Sequence, residues 1–241
     1  MTPALVIPAY NHGPRLTAVL ADALTLHLPL IVVDDGSDDG TKEILARLAA
    51  RPEYAGLTVL RHPENRGKGA ALLTGFAQAL AQGCDRALCM DADGQHRAVD
   101  AARLLDAARE HSGRPLIVGA RGGMEGEHVP WTSRAGRGFS NFWVRACGGP
   151  RCADSQSGLR LYPLPEILEL PCRARRYQYE VEVLVRARWA GLPVVEVPVG
   201  VVYQPKGERV SHFRPWRDFA RNSRTFSGLF FENLRRLVMP R

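Results

Sequence analysis

Leu30-Ile31-Val32-Val33-Asp34-Asp35-Gly36-Ser37 is a short apolar run that stops in two adjacent carboxylates and a glycine turn. An apolar run of this length bounded by turn residues reads as a buried strand. Ala4 to Pro8, Leu57 to Arg61, Arg86 to Met90 and Leu116 to Gly119 read the same way. Between these runs the apolar residues take helical spacing: Leu16, Val19, Leu20, Ala23 and Leu24 share one face, as do Ala101, Leu104, Leu105 and Ala108. Pro14 suits the first turn of its helix. Strict alternation of strand and helix implies right-handed βαβ units, so the expected fold class is α/β, a mainly parallel central sheet with helices on both faces. Such sheets bind ligands at the carboxyl ends of their strands.

After Gly122 the texture changes. A Gly- and Arg-rich stretch leads into a helix near Trp131 to Cys147, a short strand near Leu159 to Tyr162 and a helix near Tyr179 to Ala190. A last strand, about Val194 to Val202, precedes a basic loop and a long C-terminal helix. The expected organisation is one domain over residues 1–210, with a nucleotide-binding half (1–122) and an acceptor half (123–210), followed by the loop and amphipathic helix of 211–241.

Two strand ends carry the acidic chemistry. Turn formation and a helix cap from Asp39 or Thr41 account for Asp38 to Thr41 but leave the Asp34-Asp35 pair unexplained. Asp91 and Asp93 end the fourth strand and face the same crevice, with Gln95 and His96 just beyond. Magnesium and manganese prefer oxygen ligands and are commonly held by one or two carboxylates together with substrate phosphates, so this pair points to a metal-diphosphate site. Asn65-Arg66-Gly67-Lys68-Gly69-Ala70-Ala71 opens the third helix, where either an anion or close packing would suit the glycines. Its spacing matches neither a P-loop nor GxGxxG.

The formal charge of +7 points to an anionic partner without choosing among nucleic acid, phospholipid and phosphorylated substrate. Carboxylates at the presumed cleft would repel a nucleic-acid backbone, which argues against a basic nucleic-acid-binding module. Five cysteines, an odd count in a chain that is not short and disulfide-dense, suggest free thiols; Cys147 and Cys152 lack a second ligand pair at zinc spacing. With no signal-like start and no run near the ~20 apolar residues of a spanning helix, a cytoplasmic protein with at most peripheral membrane contact is expected.

The ordered set Val6-Ile7-Pro8-Ala9-Tyr10-Asn11, Val33-Asp34-Asp35-Gly36-Ser37, Asn65-Arg66-Gly67-Lys68-Gly69, Asp91-Ala92-Asp93-Gly94-Gln95-His96 and Asp154-Ser155-Gln156-Ser157-Gly158-Leu159-Arg160 resembles glycosyltransferase family 2. Within that family it is similar to the polyprenyl-phosphate (dolichol-phosphate mannose synthase-like) sugar transferases. The resemblance implies a GT-A-type domain with a Rossmann-like nucleotide-binding half. It also implies inverting, metal-dependent transfer of a hexose from a UDP- or GDP-sugar to a polyprenyl phosphate, or to a hydroxyl of a polysaccharide or glycolipid.

On the same resemblance, Pro8, Tyr10, Asn11, Asp35, Lys68 and Asp91 would hold the nucleotide-sugar, and Asp91, Asp93 and Gln95 would hold Mg2+ or Mn2+. Arg121 would meet phosphate and Asp154 would lie by the sugar, making Asp93, Asp154 and Arg121 the catalytic candidates. Glu180, Ser211 and His212 would face the acceptor, and Arg134 is one of several arginines that could contact its phosphate. Ser211-His212 departs from the Ser-Lys pair common in eukaryotic members. No clear Glu-Asp base pair is present; Asp154, Glu180 or Glu182 could serve, and the lack of a dedicated pair favours a phosphate acceptor. Sugar-1-phosphate nucleotidyltransferases, which use a related sheet, would need a Gly- and Arg-rich loop where Pro8-Ala9-Tyr10-Asn11 stands. In the C-terminal helix Trp216, Phe219, Phe226, Phe230 and Leu234 form one stripe and Arg217, Arg221 and Arg224 another. That stripe could pack on the domain or lie in a membrane interface.

Overall fold

The computed structural model describes residues 1–122, 131–202 and 215–238, backbone only at 131–133 and 215–218. Seven strands alternate with helices: β1 (Pro3–Ala9), α1 (Gly13–Leu24), β2 (Leu30–Asp34), α2 (Thr41–Ala49), β3 (Leu57–Arg61), α3 (Lys68–Ala81), β4 (Arg86–Cys89), α4 (Ala98–Glu110), β5 (Leu116–Arg121), α5 (Trp131–Ala146), β6 (Arg160–Pro163), α6 (Glu166–Glu169), α7 (Tyr179–Trp189), β7 (Val194–Val199) and α8 (Pro215–Val238). They form one sheet in the order β3-β2-β1-β4-β6-β5-β7. All neighbours are parallel except β6, which runs antiparallel to both β4 and β5.

The period-2 pattern of the strands builds two cores. Ala4, Val6, Ile31, Val33, Ala87 and Cys89 point to the face covered by α3, α5, α7 and α8. Leu5, Ile7, Leu30, Val32 and Leu88 point to the face covered by α1, α2 and α4. This is the expected α/β architecture with helices on both faces. Every residue of β1 from Ala4 to Ala9 and all of β2 and β4 are buried. β3, expected to be buried, is instead a half-exposed edge strand with Val59 at 37 % exposure, because among the described residues nothing pairs beyond it. Its apolar residues need cover on one face only, and a short run cannot distinguish that case from a central strand.

Helix α7 is enclosed from Tyr179 to Ala187, with Glu180, Glu182 and Arg186 inside. Helix α8 lies against α5 and α7 through Phe226 and Leu229, which are 1 % and 2 % exposed. Phe219, Phe230 and Leu234 of the same stripe remain exposed. The sequence posed packing and exposure as alternatives; the helix does both, on adjacent faces.

Two features place the site. β1 and β4 are neighbours while β2 and β3 extend away on the other side of β1, so the strand order reverses between β1 and β4 and opens a crevice at their carboxyl ends. Because β6 is antiparallel, its first residue, Arg160, pairs with Cys89 at the end of β4 and with Val118 in β5. The segment 154–159 therefore arrives at the same edge as Asp91 and Arg121.

Candidate active site

Asp91 and Asp93 follow β4 at the crevice. Lys68, in the first turn of α3, reaches Asp91 Oδ1 with its Nζ at 2.7 Å and Glu180 Oε1 of α7 at 2.7 Å. Burial opposes a charge on Lys68, but the two carboxylates outweigh it and hold its pKa well above the ordinary lysine value. Burial likewise works against the Asp91 charge, and Lys68 overcomes it, so the Asp91 pKa is lowered. Asp93 has no such partner. Burial and the nearby Asp91 charge push its pKa up to about 6, against the Gln95 N–H, 3.0 Å from Oδ1, and the Lys68 and Arg121 charges, which favour the ionised form.

The far side of Asp91 is bounded by backbone. A Cβ at Gly158 would overlap the Asp91 carboxylate, so only glycine fits there. Arg160 is fully buried and fixes this loop from beneath, donating to the Ser157, Ser155 and Glu180 carbonyls at 2.7, 2.8 and 2.6 Å.

Asp154 is fully buried and clamps Arg121: Nε to Oδ2 is 2.6 Å and Nη2 to Oδ1 is 3.0 Å. Burial would raise the Asp154 pKa, yet the Arg121 guanidinium holds it below the usual carboxylate range. The Ala153 and Asp154 amides donate to Glu196 of β7 at 2.8 and 3.0 Å. Glu196 was not among the sequence candidates, since a single Glu alternating in an edge strand carries no signal.

On the other wall the first two strand ends are stapled together. Asn11 takes the left-handed conformation (φ 54°), accepts from the Asp38 N–H and donates to Asp38 Oδ1 at 2.7 Å. Asp35 is 2 % exposed and accepts from the Gly67 and Arg66 amides at 2.7 and 3.0 Å, with His62 Nδ1 at 2.6 Å. Asp34 pairs with Arg61 and accepts from the Ser37 amide at 2.9 Å. Thus Asp35, expected by resemblance at the base and ribose, closes the α3 N-terminus with its own carboxylate. The glycines there serve close packing: a Cβ at Gly67 would strike Arg175 and Arg176, and one at Gly69 would strike Tyr179. Of the two expected caps, Asp39 or Thr41, Asp39 accepts from the Thr41 amide at 3.1 Å, while Gly40 holds the cap position and Thr41 opens the helix.

The structure brings together Tyr10, Asp91, Asp93, Gln95, Arg121 and Asp154 around the edge where β1, β4 and β5 end. Pro8 lies buried within β1. Lys68, expected on the nucleotide-sugar, and Glu180, expected at the acceptor, are paired with each other, and Lys68 also with Asp91. Glu182 accepts from the Ala174 amide at 2.7 Å and from Arg186 at 2.7 Å, deep in α7. Arg134 is exposed on α5. Ser211 and His212 lie outside the described residues.

Comparison with known proteins agrees with this geometry. Residues 4–159 match the family model described as glycosyl transferase family 2. The chain belongs to glycosyltransferase family 2. The glycosyltransferase is 31 % identical, over 83 % of its length and 85 % of the relative's, to UDP-N-acetylglucosamine–dolichyl-phosphate N-acetylglucosaminyltransferase of Methanococcus voltae. It is 32 % identical to the undecaprenyl-phosphate mannosyltransferase of Micrococcus luteus, covering 84 % of each chain. Its fold is shared with a mannosyltransferase from Pyrobaculum calidifontis solved with GDP-Man and Mn2+: TM-score 0.57, 18 % identity, 99 % of this chain and 70 % of that one. The S. aureus TarS structure with UDP-GlcNAc gives TM-score 0.59 at 18 % identity, over 95 % of this chain and 66 % of that one. The fold of the glycosyltransferase is therefore the GT-A type.

Proposed function

We propose that this glycosyltransferase moves a hexose from a UDP- or GDP-sugar to a polyprenyl phosphate at a membrane surface, with inversion and with a divalent metal on the donor diphosphate. The observation that carries the choice of acceptor is that Asp154, Glu180 and Glu182, the carboxylates that could have served as a base, are each held by a cation: Arg121, Lys68 and Arg186. A sugar hydroxyl needs a base to remove its proton, whereas a phosphate monoester, with its second pKa near 6, is already ionised. The names of the archaeal and bacterial relatives, with dolichyl and undecaprenyl phosphate as acceptors, support the same reading.

The residues suit a divalent cation. Among the described residues no group of three or more His, Cys, Asp and Glu side chains could hold a metal alone. Two carboxylates and the Gln95 amide leave positions that the donor diphosphate would fill, as oxygen-loving Mg2+ or Mn2+ sites commonly do. Burial and the Asp91 charge together raise the Asp93 pKa, a cost that a cation would relieve, and among the described residues the buried His96 Nδ1 has no hydrogen-bond partner. Held by Asp91, Asp93 and Gln95, the metal would act as a Lewis acid for the departing nucleoside diphosphate.

The chain's own residues do the rest. Lys68 fixes the Asp91 rotamer from behind, and Gly158 admits the carboxylate against the backbone. Asp154 holds the Arg121 guanidinium in a set plane at the end of β5, suited to phosphate oxygens. Tyr10 and Asn11 stand where β1 opens toward the nucleotide side of the crevice. Polyprenyl phosphate and candidate hydroxyl acceptors, each offered with UDP- and GDP-sugars with and without Mn2+ or Mg2+, test the proposal. A metal-dependent lipid-phosphate sugar is expected; transfer only to a hydroxyl acceptor would overturn the acceptor assignment.

A further inference from the structure

Helix α8 buries Phe226 and Leu229 yet leaves Phe219, Phe230, Phe231, Leu234, Leu237 and Val238 between 39 % and 72 % exposed. At 3.6 residues per turn these six fall in one sector beside the buried face. Phe142 of α5, 64 % exposed, extends the patch: its ring packs on Trp143, which in turn meets Phe230 at 6.3 Å. The patch is flanked by cations, with Arg224 and Arg235 exposed on the side of α8 away from α5 and Arg145 exposed on α5. Among the described side chains of α8 the single carboxylate, Glu232, lies outside the apolar sector and pairs with Arg186. A contiguous apolar ridge with aromatic residues, bordered by arginines and bare of carboxylates, matches the interface of an anionic bilayer, where rings sit at the headgroup level and guanidinium groups meet lipid phosphates.

Position supports that occupant. α5 and α8 follow β5 and β7, which both end at the edge carrying Asp91, Asp93 and Arg121. Arg137 of α5 donates to the Arg121 carbonyl at 3.3 Å, and Phe139 of α5 meets Phe219 near the start of α8 at 5.2 Å. The ridge thus starts beside the crevice and runs about 29 Å along α8, from Phe219 to Val238.

We propose that the outer face of α8, together with Phe142, docks this enzyme on an anionic phospholipid surface and so holds the crevice at the depth of a lipid-linked phosphate; the purpose, though not the surface, rests on the acceptor reading above. The experiment is co-sedimentation of the full chain with vesicles of phosphatidylcholine alone or with phosphatidylglycerol, without donor, alongside transfer to polyprenyl phosphate in detergent. The wild type is expected to bind the anionic vesicles at least tenfold more tightly, and raised salt should weaken that binding. Phe142→Ser/Phe231→Ser/Leu237→Ser should lose at least tenfold of it while transfer in detergent stays at the wild-type level. A second variant, Arg224→Gln/Arg235→Gln, changes two exposed side chains and should lose the preference for phosphatidylglycerol. Unchanged vesicle binding in both variants, no vesicle binding by the wild type, or a wild-type dimer that the triple variant dissolves would each overturn the proposal. Failure of transfer in detergent with vesicle binding intact would instead strike the acceptor reading.

Discussion

At the residue scale the site is a balance of charges in a poorly solvated crevice. Lys68 answers Asp91 and Glu180 at once, and removing a partner from a buried pair leaves uncompensated charge. Lys68→Met is expected to cost about 3 kcal/mol in denaturant unfolding and to weaken Mn2+-dependent nucleotide binding in calorimetry. Asp93 carries the opposite imbalance. Its folded pKa of about 6 stands above the ordinary 3.8, so folding disfavours its ionised form, and its contribution to stability is lost as pH rises from about 4 to about 6. Asp93→Asn removes that loss. In metal-free thermal unfolding the variant should gain on the wild type across this window, on the order of 3 kcal/mol by neutral pH, while sugar transfer is abolished. A constant difference between the two proteins from pH 4 to pH 7 would contradict a raised Asp93 pKa.

At the scale of elements, the antiparallel β6 brings 154–159 to the edge where β4 and β5 end, and the loop is fitted there without slack. Gly158→Ala would drive a methyl into the Asp91 carboxylate, separating the β4 end from the loop. A displacement near 1 Å at reacting groups can cost about a hundredfold in rate, so kcat/KM should fall by about that factor with the far-UV circular dichroism unchanged. Glu196 anchors the other end of the loop through two amides. Glu196→Gln keeps one acceptor and loses the charge, and should lower stability by about 1 kcal/mol with a smaller loss of transfer than Gly158→Ala.

At the scale of the whole molecule, α8 shares the core of the catalytic domain while presenting an apolar face outward. Phe226 is almost fully enclosed among Phe139, Trp143 and α7, so Phe226→Ala should destabilise by about 3 kcal/mol. Phe231, 62 % exposed, should tolerate the same change within about 0.5 kcal/mol. Chemical denaturation of the two single variants checks this contrast; equal losses would mean that α8 packs through its outer face.

Alternating apolar strands, helical periodicity and strand-end carboxylates were enough to determine an α/β sheet with an acidic crevice at Asp91 and Asp93, because burial on two faces writes itself into local residue order. The partners of those carboxylates were not legible. Lys68 lies in a glycine-rich helix start that an anion would suit equally well, and Asp35, Asp154, Glu180 and Glu182 look the same in sequence whether they meet a ligand or a partner within the protein. Their pairing depends on the crossover that inserts β6 antiparallel and on the enclosure of α7, which join residues as far apart as Lys68 and Glu180. The double use of α8 was hidden for the same reason: a stripe of apolar residues states that they avoid water, and only the packing of α5 and α7 decides which of them the protein covers itself.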